Sequence, residues 1–231
     1  MKAVVSVIML ALLGSMLWQA IPLAEPIALR GVAEHYATVG VADNHAANLV
    51  TAVIVNYRGL DTLGEVVVLF LSVTGIGFVL RRKRGLVLHN PRPASELTRT
   101  GANLLFAPLL LFGAYVFIHG HLTPGGGFQG GAVVASAVLL LLLADRDRHL
   151  PHGLMSWVES LSGLTYVLVG LIGLVSAGSF LANTGLGLGE WGRLSSGGLI
   201  PVIYVLIGLK VGSELAALLD LMTHSGEAEE R

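Results

Sequence analysis

The sequence predicts an all-α integral membrane protein of about six transmembrane helices with both termini cytoplasmic, and three observations predict it. The first is composition: 54% of residues are hydrophobic and 13% charged, with a mean hydropathy of +0.75, whereas soluble domains carry about 25% charged residues. The second is pattern. Long apolar runs recur through all 231 residues and leave little chain for a separate soluble domain. The third is the placement of cations. A topology that puts the Arg81-Arg-Lys-Arg84 cluster inside also puts Lys2, Arg92, Arg99, Arg146 and Arg148 inside, with only Arg30, Arg58 and Arg193 outside.

The same counts exclude several classes of function. Cysteine is absent, so this chain builds no disulfide, thiolate metal site or iron-sulfur cluster, and redox chemistry would have to live on a partner. A net charge of -1 gives no field that would attract nucleic acid. The chain has neither His-Glu-x-x-His nor Gly-x-Ser-x-Gly, so no enzymatic activity and no cofactor are expected.

In chain order, Ala3 to Ile21 is apolar and reads as a first span rather than a cleaved signal, because Trp18 occupies the position where cleavage wants a small residue. Residues 22 to 46 form an extramembrane connection with room for a short interfacial helix. Its His35 and His45 are scattered loop histidines, so no metal site is expected there. The run from Asn48 to Leu80 would measure roughly 50 Å as one helix, longer than a bilayer is thick, so it must be interrupted. The break is expected within Asn56 to Glu65, where Gly59 and Gly64 weaken the helix and Thr62 with Glu65 has capping-box spacing. This makes Asn48 to Tyr57 an interfacial segment and Thr62 to Leu80 the second span. Residues 85 to 100, with Pro91 and Pro93, read as a cytoplasmic linker. Four more spans follow at about 102 to 120, 128 to 144, 153 to 178 and 198 to 221, with an outside loop from Ser179 to Gly197 and a polar tail at 224 to 231. Small residues four apart, Gly131 with Ala135 and Gly208 with Gly212, allow helix backbones to approach closely in lipid, and partner subunits are expected to supply part of that surface.

One stretch organises the rest: His119-Gly-His-Leu-Thr-Pro-Gly-Gly-Gly-Phe-Gln-Gly-Gly131, a polar break between two apolar runs. Pro124 cannot continue a helix with full hydrogen bonding, and Gly125, Gly126, Gly127, Gly130 and Gly131 open backbone conformations and close approaches denied to other residues, with Phe128 and Gln129 set among them. One helix ends there and another begins. The imidazoles of His119 and His121 titrate near neutrality and are candidates for relaying protons, although at spacing two they point to different sides of a helix.

The other candidates are ionisable groups in or near the spans. Lys210 lies near the middle of the last span, where a charge costs at least about 2.5 to 3.5 kcal/mol and needs a carboxylate, a carbonyl or water. Glu214, one turn on, is the local candidate. The pair reads either as a structural ion pair or as a site where a desolvated lysine exchanges a proton with its neighbour. Glu159, roughly 9 Å into the fifth span, also needs a partner. Asp61 and Glu65 share a face at the outer end of the second span, where capping and ion passage explain them about equally well.

These residues carry a resemblance to a known family. Phe106-Ala-Pro-Leu, the glycine-rich stretch 119 to 131, and Ile207-Gly-Leu-Lys-Val-Gly212 closely resemble the B subunit of Mrp-type (Mnh) multisubunit cation/proton antiporters, over roughly residues 98 to 223. Asn56-Tyr-Arg-Gly-Leu-Asp-Thr-Leu-Gly-Glu65 with its following span resembles the C-terminal tail of the large A subunit, a separate E subunit in membrane-bound hydrogenases. The resemblance implies a fusion: an A-tail-like region at 1 to 84 with two spans, the linker at 85 to 100, and a four-span B-like (MnhB) domain at 101 to 223. It implies a non-catalytic, multi-pass subunit of the prokaryotic plasma membrane. Its implied partners are large A/D-like and small C/E/F/G-like subunits, the lipid bilayer, and sodium or another monovalent cation exchanged for protons. The alternative it leaves open is a purely structural bridging subunit of a hydrogenase-like or other redox-driven ion-pumping complex.

Overall fold

The computed structural model describes residues 2–20, 28–82, 94–145, 147–183 and 185–224. Most of the expected linker, the side chains of Arg81 to Arg84, Arg92, Arg146 and the tail from 225 on lie outside the described residues. Among the described residues all regular structure is helical: α1 (Lys2–Ala20), α2 (Val32–Asn44), a short α3 (Leu49–Thr51) continuing into a π-helical turn (Ala52–Tyr57), α4 (Gly59–Arg82), α5 (Glu96–Ile118), α6 (Gly127–Ala144), α7 (His152–Ala177) and α8 (Ile200–His224). Five of these, α4 to α8, are long and apolar enough to cross a membrane. The expected first span falls on α1, an apolar helix of 19 residues, about 28 Å at 1.5 Å per residue.

The chain divides into two compact units, Met1–His35 and Tyr36–Arg231. The first holds α1, whose described side chains are exposed along its length. The second is a bundle built around α8, which is buried over most of its length and packs against α4, α5, α6 and α7.

Glycines set how close these helices come. A Cβ on Gly131 would lie 2.9 Å from the Gly208 carbonyl oxygen and 3.0 Å from the Gly212 nitrogen, and one on Gly127 would lie 2.6 Å from the Ile207 Cβ. One on Gly130 would meet the Gly113 carbonyl at 2.6 Å. Thus α6 lies between α5 and α8 at nearly backbone contact, the small-residue arrangement expected in lipid. Gly131, Gly208 and Gly212 are covered inside the chain, whereas Gly64, Gly75 and Gly101 have nothing within 4 Å of a Cβ position.

The long run from Asn48 is interrupted, as its length required. The break is at Arg58, where the amide of Arg58 donates to the Val53 carbonyl at 2.8 Å, one residue further back than in an α-helix, and α4 begins at Gly59. The capping box does not form. Thr62 is already inside α4, and its hydroxyl donates to the Ile54 carbonyl at 2.6 Å, tying the new helix to the π turn.

Candidate functional site

Lys210 stands in the eleventh position of α8, about 15 Å from its start. Its stem lies against Gly163 of α7, where a Cβ would sit 3.4 Å from the lysine Cδ, so the absence of a side chain there leaves a groove for it. The ammonium donates to Glu214 Oε2 at 3.3 Å on its own helix and to Glu159 Oε1 at 3.4 Å on α7, and lies 5.2 Å from the centre of the Phe70 ring on α4. Helical spacing explains the first contact, since residues four apart share a face. The second follows because α7 runs antiparallel to α8 and presents Glu159 and Gly163, also four apart, toward it. Glu214 is 1% exposed, and its second oxygen, Oε1, has no hydrogen-bond partner among the described residues.

Three ionisable groups therefore meet at one place, with Glu214 buried and Glu159 partly exposed. Fully ionised, they carry one negative charge; with one proton or one monovalent cation added they are neutral. A low-dielectric site favours the neutral combination.

Asp61 and Glu65 are on α4 but not in this cluster. Asp61 is exposed and ion-paired with Arg58, and Glu65 is exposed. They precede Phe70 by nine and five residues, about 13 and 7 Å along the helix axis.

The glycine-rich turn is held by residues that the sequence did not single out. Asn48 donates from its side chain to the carbonyls of Gly120 at 2.9 Å and Thr123 at 3.1 Å, and from its backbone to the His121 carbonyl at 3.0 Å. Thr51 donates its hydroxyl to the Gly120 carbonyl at 2.7 Å, and Tyr204 donates to Thr51 at 2.9 Å. The only signal for these contacts was the presence of polar residues at the start of an apolar run. The loop from 178 to 199 folds over the same end, stapled by Asn183, which donates to the Gly197 carbonyl and accepts from the Leu199 amide.

The two histidines part company here. His119 closes α5, with its ring stacked on Tyr115 at 4.2 Å and Nδ1 3.2 Å from the Tyr115 carbonyl. His121 is completely buried, and among the described residues neither ring nitrogen has a hydrogen-bond partner. No hydrogen bond among the described residues joins the two imidazoles.

Burial pushes the His121 pKa below its usual value. The carbonyls of Arg193, Leu194 and Ile118 oppose that shift, and a charge on His119 reinforces it. A neutral folded His121 and a normally titrating unfolded one mean that the unfolded state binds more protons as pH falls through about 6.5. This contribution to stability is therefore complete above that pH and lost below it. Thermal unfolding of the protein in detergent is expected to show a midpoint that drops on acidification from pH 7.5 to 5.5. His121→Leu is expected to flatten that dependence.

A second buried carboxylate, Asp220, also escaped notice, because α8 was expected to end at 221 in a solvated tail. It is 1% exposed and faces His152 and His224. The legible signal was spacing: Asp220 and His224 are four apart, and His149 and His152 three apart. Nearby, Arg99 pairs with Asp145 at 3.3 Å and fixes the turn between α6 and α7 to the start of α5. A cleft of about 290 Å³ between α4 and α8, lined by Thr74, Gly77, Phe78 and Leu221, reaches His152.

Comparison with known proteins agrees with this architecture. Residues 97–217 match the family model described as a domain related to the MnhB subunit of Na⁺/H⁺ antiporter. Residues 2–96 match the one described as the E subunit of MBH. An uncharacterised protein of Methanocaldococcus jannaschii is 30% identical over 217 residues, covering 82% of this chain and 81% of its own. A chain of the membrane-bound sulfane sulfur reductase, an archaeal respiratory membrane complex, superposes with a TM-score of 0.80 at 44% identity, covering 96% of this chain and 97% of that one. A chain of the Mrp complex from Dietzia sp. DQ12-45-1b shares the fold at a TM-score of 0.75 and 24% identity; this chain is covered entirely but spans only 26% of that one. With the five apolar spans and the glycine-rich turn in place, the conclusion is that this multi-pass prokaryotic membrane protein belongs to the MnhB family of antiporter chains.

Proposed function

We propose that this chain is a non-catalytic subunit of a multisubunit cation/proton antiporter-type complex, and that it contributes a proton or monovalent-cation position to the transport route. The observation that carries this reading is the Lys210, Glu159 and Glu214 cluster, with one buried Glu214 oxygen free to take a proton or cation. Asp61 and Glu65 form the outer mouth of the route on α4, and His119 and His121 flank its approach. The turn from Pro124 to Gly131 holds the helices that frame it. The end bearing Arg99 and Arg148 faces the cytoplasm by the charge rule. Large A/D-like and small C/E/F/G-like subunits are the proposed partners.

The test is transport by the assembled complex in vesicles. Glu214→Gln keeps the size of the side chain and one acceptor oxygen for Lys210 but not its titration, and is expected to lower cation-dependent proton movement at least tenfold while all subunits still co-purify. Undiminished transport would take this chain out of the ion route and leave it a bridge.

A second reading is favoured by one observation: the likeness to the sulfane sulfur reductase chain covers 96% of this chain and 97% of that one at 44% identity. On that reading the complex is driven by a redox module, and the same cluster moves ions in response to it. Co-purification decides: metal-cluster proteins accompany the complex in the redox-driven case and are missing from a plain antiporter.

A further inference from the structure

At the opposite end of the bundle from the glycine-rich turn, three stretches of chain bring metal-binding side chains together. His149 comes from the turn between α6 and α7, and Asp220 and His224 from the last turns of α8. One ligand atom from each lies within 4.8 Å of the others. The imidazole centroids of His149 and His224 are 4.0 Å apart. His152, from the first turn of α7, stands behind them with Nε2 3.0 Å from Asp220 Oδ2. The Leu150 amide donates to Asp220 Oδ1 at 3.4 Å, fixing the carboxylate from the other side.

We propose that His149, Asp220 and His224 form a binding site for a transition-metal dication of the zinc type, with His152 holding the carboxylate from outside. Each part of the arrangement serves that role. Asp220 is a nearly fully buried carboxylate, and the ion pairs it makes among the described residues are to the imidazoles of His152 and His224. A dication would compensate the buried carboxylate directly and use a nitrogen from each of the two adjacent rings as a donor. Two nitrogens and one oxygen suit zinc and its neighbours; magnesium and calcium prefer all-oxygen shells. In a tetrahedral zinc site with bonds of about 2.0 to 2.1 Å, ligand atoms lie about 3.3 Å apart. The set must therefore close by about 1.5 Å, and His149, exposed and on a turn, is the member free to move. Its exposure also gives the ion a way in and leaves the fourth position to water. His152 gives Asp220 the outer hydrogen-bonding support that metal-ligating carboxylates take.

The experiment uses the full, untagged chain in detergent, stripped with EDTA, dialysed and titrated with zinc chloride by calorimetry, with bound metal counted by mass spectrometry. One zinc per chain is expected. His149→Ala, on an exposed turn and harmless to the fold, is expected to weaken binding at least tenfold, and Asp220→Asn at least a hundredfold with helical circular dichroism retained. His45→Ala is expected to bind as the unaltered chain does, and magnesium chloride should give no stoichiometric binding. Cobalt(II) bound in place of zinc should show the visible absorption of a four-coordinate centre. Substoichiometric zinc in the unaltered chain would overturn the proposal. So would unchanged affinity in both His149→Ala and His224→Ala, or loss of zinc in His45→Ala.

Discussion

Lys210→Ala in the assembled complex is expected to reduce coupled transport by at least tenfold without dispersing the subunits. The substitution leaves Glu159 and Glu214 facing each other with no cation between them. Breaking a buried ion pair ordinarily costs about 3 to 5 kcal/mol, because the surviving charge is stranded. Here the survivors are carboxylates, which shed their charge by taking up a proton, so the bundle keeps its fold while the cluster loses its proton exchange. Transport is measured as cation-triggered pH change in vesicles, and assembly as the subunit ratio after purification. Lys210→Arg separates a fixed positive charge from a titrating one. Guanidinium does not release its proton at accessible pH, so transport stays impaired if the lysine exchanges protons and recovers if charge alone suffices.

Gly131→Leu is expected to remove the folded protein altogether. The new Cβ would lie 2.9 Å from the Gly208 carbonyl oxygen and 3.0 Å from the Gly212 nitrogen, and these are backbone atoms with no rotamer to yield. Relief requires α6 and α8 to separate, which breaks the contact at the centre of the bundle. The milder Gly131→Ala is expected to cost about 1 to 3 kcal/mol, the usual range for overfilling a packed interior. Gly153, at the start of α7, has nothing within 4 Å of a Cβ, so Gly153→Ala is the matched control, expected to be neutral or slightly stabilising. Size-exclusion yield and thermal midpoint in detergent report both. A loss confined to Gly131 marks close helix approach, rather than glycine flexibility, as the requirement.

What the sequence made legible followed local rules. Apolar length placed α4 to α8 within a few residues of their ends, and chain length alone demanded a break near Arg58. Helical spacing gave Glu214 as a partner for Lys210. The Glu159 contact was out of reach, because it depends on how α7 registers against α8, which no local pattern encodes. The same holds for His121, whose burial comes from a loop more than fifty residues further on. Thr62 misled because its hydroxyl had two possible carbonyl or amide partners, and the π turn brought Ile54 closer. The pairs Gly131 with Ala135 and Gly208 with Gly212 were legible as close contacts, but which helix covers them was not, since a glycine stripe looks alike whether a foreign or a domestic helix packs on it.

The clasp of Asn48, Thr51 and Tyr204 on the glycine-rich turn consists only of non-covalent bonds between stretches that are far apart along the chain. Two polypeptides meeting there would find the same bonds waiting, so a genome is free to encode the pair joined or split without redrawing the interface.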